Sequence, residues 1–110
     1  MYHIFNVEIA AEIGVYPAII FENIVHWIKV NEANGVNFFE GTYWTYNSVK
    51  AFESIFPYLS TKQIRVALSV LIEKELIKTG NFNVNPYDRT LWYALTEKGI
   101  TACRIGNLHL

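Results

Sequence analysis

At 110 residues the chain has room for one domain with a single core, and no linker or repeat divides it. Hydrophobic residues make up 52% and aromatics 15%, so the core is well supplied and apolar surface is left over for a dimer or partner interface. A formal net charge of −1 argues against a strongly electrostatic nucleic-acid binder, and the single cysteine, Cys103, excludes an internal disulfide framework and fits a reducing, cytoplasmic setting.

In chain order, Asn6 to Ile13 reads as a short helix that Gly14 ends in a left-handed conformation. Pro17 opens the next helix where its missing N–H costs nothing. From Ala18 to about Val30, the residues Ile20, Phe21, Ile24, Trp27 and Ile28 form one broad apolar stripe, widened by Ile19 and Val25, so this helix is largely buried. Glu22, Asn23 and His26 break the run, which is therefore no membrane span, and no signal peptide is visible. Glu32 to Gly41 reads as a connection, and Thr42 to Tyr46 as a short strand supplied with β propensity by Tyr43, Trp44 and Tyr46. Asn47 or Ser48 caps a third helix through Ile55, which Pro57 ends before a turn from Phe56 to Leu59.

Ser60 and Gln63 have the spacing of a capping box, so a further helix starts at Thr61. Ile64, Ala67, Leu68, Leu71 and Ile72 recur at three-and-four spacing on its buried side. Lys62, Gln63, Arg65, Val66, Ser69 and Val70 fall outside that stripe, with no acidic residue before Glu73. Lys62 and Arg65 lie side by side, and Ser69 continues their face one turn later. After Leu76, Ile77 to Thr79 suits one strand and Leu91 to Thr96 a second, with Leu91, Tyr93 and Leu95 on one face, paired as an antiparallel hairpin. The loop between them, Gly80 to Thr90, alternates Asn81, Asn83 and Asn85 with Phe82 and Val84 before Pro86, Tyr87, Asp88 and Arg89. It is long for a simple turn. Its amides and Arg89 suit phosphate contacts, while asparagine equally serves a solvated turn that needs unusual backbone angles.

Helix, turn, helix, strand, loop and strand in this order spell an α+β, mainly α, winged helix-turn-helix. Residues 1–40 would supply N-terminal helices, 42–75 the helix-turn-helix, 76–96 a two- to three-stranded β-wing and 97–110 a tail or short helix. The charge is unevenly spread: residues 1–40 hold five glutamates against Lys29, and residues 41–110 hold eight basic against five acidic residues. That asymmetry would put the acidic helices away from DNA and the basic half toward it.

Three segments carry a resemblance to a known family. They are Glu12-Ile13-Gly14 through Pro17-Ala18-Ile19 to His26-Trp27-Ile28; then Tyr43-Trp44-Thr45-Tyr46-Asn47 with Phe52, Phe56-Pro57 and Leu59-Ser60; and finally Lys62-Gln63-Ile64-Arg65 through Leu68, Leu71, Lys74 and Leu76-Ile77 to Trp92-Tyr93-Ala94-Leu95-Thr96. Together they resemble the winged-helix N-terminal DNA-binding modules of phage and plasmid replication initiator proteins, over most of residues 5–98. The resemblance implies double-stranded DNA as partner and a role in starting replication of a mobile element. It carries over Thr61, Lys62, Gln63, Arg65 and Ser69 as the outward face of the recognition helix, and Asn81, Asn83 and Arg89 as the wing. Asn47 and Lys50 would add backbone contacts at a helix start. Arg65 is the best candidate for reading a base, since its fork holds guanine bidentately, and Lys62 for holding a phosphate. Two departures stand out. Many such modules have glycine where this chain has Glu75, and the initiators usually continue into a second domain that contacts a replication-protein partner.

Catalysis is not expected, and neither is a metal or cofactor. His3, His26 and His109 show no ligand spacing, Cys103 and His109 lack an orienting carboxylate, and Gly35 and Gly41 are isolated rather than part of a phosphate loop. Two other readings stay open. One is a winged-helix transcription regulator acting as a tight two-fold dimer. The other is a winged helix that docks a protein through Phe82, Tyr87 and Trp92. A homodimer through the apolar N-terminal helices is compatible with all of them.

Overall fold

The computed structural model describes residues 1–108, with side chains through Cys103; His109 lies outside them. The architecture is α+β and mainly helical: α1 (Val7–Ile13), α2 (Val15–Asn34), β1 (Phe38–Phe39), β2 (Thr42–Tyr43), β3 (Thr45–Tyr46), α3 (Val49–Ile55), α4 (Thr61–Glu73), β4 (Ile77–Gly80), β5 (Trp92–Leu95) and α5 (Glu97–Leu108). β1 and β2 form a two-stranded sheet, and β3, β5 and β4, in that order, an antiparallel three-stranded sheet.

Asn6 caps α1 by accepting from the Glu8 and Ile9 N–H groups (2.9 and 3.2 Å). Gly14 does end it, but at φ 102 and ψ 159, an extended positive-φ conformation rather than the left-handed helical one expected, and one open essentially to glycine alone. α2 then starts two residues before Pro17 and runs past Val30 to Asn34, absorbing the start of the expected connection. Because it is apolar around most of its circumference, it is the central element. Ile20, Phe21 and Ile24 are fully buried against Ile9 of α1, Phe52 and Phe56 beside α3, Ile64, Leu68 and Leu71 of α4, and Tyr93 of β5. Trp27 departs from the expected stripe and is 42% exposed. His26, also exposed, meets its ring edge-on at 5.4 Å.

The expected strand from Thr42 to Tyr46 is divided at Trp44. β2 pairs back onto β1, while β3 pairs with β5 through Thr45 opposite Tyr93 and Tyr46 opposite Trp92. Trp44 is the pivot: its N–H donates to the Asn37 carbonyl (2.9 Å), its indole N–H to the Phe39 carbonyl (2.9 Å), and its own carbonyl accepts from the Asn31 side chain (2.8 Å). β5 is buried on both faces, not one. Tyr93 points into the main core, and Trp92 and Ala94 into a second cluster with Trp44 and Phe82, leaving Leu91 outside the strand and exposed.

α4 buries Ile64, Ala67, Leu68 and Leu71 as expected, but Ile72 is 42% exposed at the rim of that stripe. The helix closes in a Schellman motif: Leu76 N–H donates to the Leu71 carbonyl (3.0 Å) and Glu75 N–H to the Ile72 carbonyl (3.0 Å). The motif forces Glu75 to φ 61, so the chain strains a non-glycine residue at the position where the resemblance calls for glycine. Glu75→Gly relieves that strain. It is expected to stabilise the protein by about 0.5–1 kcal/mol, read as a higher urea midpoint at unchanged m. A lower midpoint would show that the Glu75 side chain contributes more than its backbone costs.

Candidate nucleic-acid interface

Ser48 accepts from the Ala51 N–H (3.0 Å), so it, rather than Asn47, caps α3. Asn47 is half-buried and its N–H donates to the Leu91 carbonyl (3.4 Å), whereas Lys50 is exposed in the first turn of α3. The chain then turns through Pro57, with Leu59 N–H donating to the Phe56 carbonyl (3.0 Å). At the start of α4 the capping box is complete. Gln63 N–H donates to Ser60 Oγ (3.1 Å), and Ser60 N–H to Gln63 Oε1 (2.8 Å). Thr61 Oγ1 donates to the Glu53 carboxylate and ties α4 to α3.

Local bonding therefore engages Thr61 and one end of Gln63, while Lys62, Arg65 and Ser69 stand exposed along one side of α4. Beside them is a feature that sequence reading missed. Val66, 53% exposed, joins Tyr16, Pro17 and Ala67 in an apolar notch of about 200 Å³, with Lys62 and Gln63 also lining it. An apolar residue four positions after Lys62, on an otherwise polar face, was the signal available. Nothing local in the sequence placed Tyr16 and Pro17 next to it.

The β4–β5 loop is held from within by its asparagines. Asn83 is the hub: its Nδ2 donates to the carbonyls of Asp88 and Thr90 (both 2.9 Å), and its Oδ1 accepts from the Trp92 indole N–H (2.7 Å). With both ends of its amide used, Asn83 positions the loop and offers nothing outward. Asn81 accepts from the Asn83 N–H and Asn85 from the Tyr87 N–H (both 2.9 Å). Asn81 and Arg89 are exposed. Thr90 donates from its backbone to Asp88 Oδ1 (2.9 Å), and hydrogen bonds from Thr90 hold the Asp88 carboxyl below its ordinary range. Anionic at neutral pH, Asp88 offsets the charge of Arg89 in the loop. Phe82 stacks on Phe39 at 4.6 Å and meets Trp44 at 4.8 Å, which pins the loop to the β1–β2 hairpin. Phe82 and Trp92 are thus internal supports, and of the three aromatics around the loop only Tyr87 stands fully out.

No protein-family model, curated protein or solved structure matches the chain.

A larger cavity, about 430 Å³, lies between residues 1–4, α2 and the end of α3, bordered by His3, Asn23, Trp27 and Phe56. His3 Nδ1 shares a hydrogen bond with the Tyr58 hydroxyl (2.7 Å), while His3 Nε2 and Asn23 Oδ1 are buried without partners. Burial pushes the Cys103 thiol up to about 11, aided by nearby Glu22 and partly opposed by Lys29. At neutral pH it is a thiol rather than a nucleophilic thiolate. Among the described residues no three His, Cys, Asp or Glu side chains gather in a group that could hold a metal ion, and no helix is long and apolar enough to cross a membrane.

Proposed function

We propose that this chain is a winged-helix domain that binds double-stranded DNA, with α4 in the major groove and the β4–β5 loop as a wing on the flanking backbone. The observation that carries the reading is the outward side of α4. Apart from Val66 it is polar and cationic, free of acidic groups before Glu73, and set on a helix whose opposite side is locked into the core. Lys62 and Lys50 hold phosphates, Arg65 and Ser69 face base edges, and Asn81 and Arg89 touch the backbone from the wing. Function is placement, with no chemistry. Origin recognition in a mobile-element replication system rests on the resemblance of residues 5–98 to initiator modules, with a transcription regulator as the alternative. Buried Trp92 and half-buried Phe82 pack inward on the aromatic cluster, which weakens two of the three anchors of a protein-docking reading and favours DNA.

Fluorescence anisotropy on duplex DNA tests this. Lys62→Ala weakens binding to all sequences alike and lowers the salt slope by about 1, whereas Arg65→Ala costs about 1–3 kcal/mol chiefly at the preferred site. Absence of salt-sensitive binding in the parent protein would refute the DNA reading, and equal losses from both variants would remove Arg65 from base reading. Self-association is part of the same proposal. Met1, Tyr2, Ile4 and Trp27 expose apolar surface around the larger cavity, and a two-fold dimer would cover it. Sedimentation equilibrium showing only monomer at high concentration would discard that interface.

A further inference from the structure

We infer that the notch beside α4 reads one thymine, with Gln63 donating to its O4 and Val66, Tyr16 and Pro17 receiving its 5-methyl group. The inference rests on the DNA-binding reading and names a base that this reading leaves open. Its starting point is the capping box. The Ser60 N–H can only donate, so the Gln63 atom it bonds at 2.8 Å is the oxygen, and the amide is held with its Nε2 as the free end. A glutamine that can both donate and accept is suited to adenine, whose major-groove edge offers N7 and the N6 amino group. One lone pair of its oxygen is held by the cap while both Nε2 donors are free, so Gln63 favours a base that presents an acceptor.

Two bases offer acceptors without a competing donor, guanine at N7 and O6 and thymine at O4. The notch decides between them. Besides Lys62 and Gln63 its lining is Tyr16, Pro17, Val66 and Ala67, a largely apolar surface suited to a methyl group, which guanine lacks. Thymine alone pairs one acceptor with a methyl group on that edge. Cytosine presents an amino donor, which would meet the Gln63 donor head-on. Lys62, lining the same notch, supplies the complementary charge for the phosphate that accompanies the base.

The test starts from a site selected out of a random duplex pool, with each thymine then replaced by uracil, which deletes the methyl group alone. One thymine position is expected to lose about fourfold in affinity, the worth of one buried methyl group. Val66→Ala should abolish that difference while keeping salt-sensitive binding. Gln63→Glu keeps an oxygen for the Ser60 N–H, and so keeps the cap, but replaces the donor by an acceptor. At the same position preference should move from thymine toward cytosine, whose N4 donates. Thymine and uracil sites bound equally by the parent protein, or a base preference untouched by Gln63→Glu, would overturn the notch while leaving DNA binding intact. Failure to bind any duplex at low salt would overturn both.

Discussion

Gly99→Ala is expected to destabilise the protein by about 3 kcal/mol, a large share of what a domain of this size has. A Cβ at this position would sit 2.1 Å from the Leu76 carbonyl oxygen, a backbone atom that cannot swing aside. The Leu76 peptide is fixed from three directions. Its N–H closes the Schellman motif of α4, its carbonyl accepts from the Thr96 N–H (3.3 Å), and the side chain is buried in the core. Thr96 in turn donates its hydroxyl to the Glu75 carbonyl and accepts from the Gly99 N–H (3.0 Å), capping α5. Relief of the clash moves α5 outward and breaks that cap. Thermal unfolding followed by circular dichroism should show a midpoint lower by about 10–20 °C. Gly80→Ala is the milder comparison, because its Cβ would meet the ring edges of Phe82 (2.9 Å) and Trp44 (3.0 Å), which can shift. Equal midpoints for Gly99→Ala and the parent would mean that α5 does not depend on this contact.

Asn83→Ala is expected to cost about 3 kcal/mol and to loosen the β4–β5 loop as a unit. One side chain makes three hydrogen bonds, to two carbonyls and one indole N–H, and alanine leaves the donor of the buried Trp92 without a partner. On the proposed function the two halves of the interface then separate. Arg89 loses its fixed position and the wing contribution to salt-sensitive binding falls, while α4 keeps its own contacts. Urea unfolding followed by tryptophan fluorescence measures the first effect, and anisotropy on duplex DNA the second. An unchanged urea midpoint would mean that the loop does not need Asn83 to keep its shape.

Much of this was legible because the signals are local. The Ser60 and Gln63 box and the three-and-four spacing from Ile64 to Leu71 each reside within a few residues and appear in the structure as read. Glu75 was already marked as the wrong residue for a left-handed helix end, and it adopts that conformation anyway. The β1–β2 hairpin was missed for a physical reason. Its two-residue turn needs positive φ at both central positions, and glutamate occupies the first, with Glu40 at φ 52 and Gly41 at φ 79. Periodicity also could not tell that β5 would be covered on both faces, because its second cover comes from Phe82 and from Phe39, residues of two separate segments. The site divides in the same way. Helical spacing placed Lys62, Arg65 and Ser69 on one exposed side, whereas the commitment of Asn83 and Thr61 to internal partners, and the arrival of Tyr16 beside Val66, are tertiary facts.

The paired indoles of Trp44 and Trp92 give the molecule a native optical gauge. Both are buried in the small aromatic cluster that joins the hairpin to the loop, and Trp92 also holds the loop through Asn83, while Trp27 lies outside that cluster on α2. Two of the chain's three chromophores of this kind thus sit where the loop is anchored. Their emission colour follows the dryness of that anchor, so the order of the loop can be watched in the unlabelled protein without altering a residue.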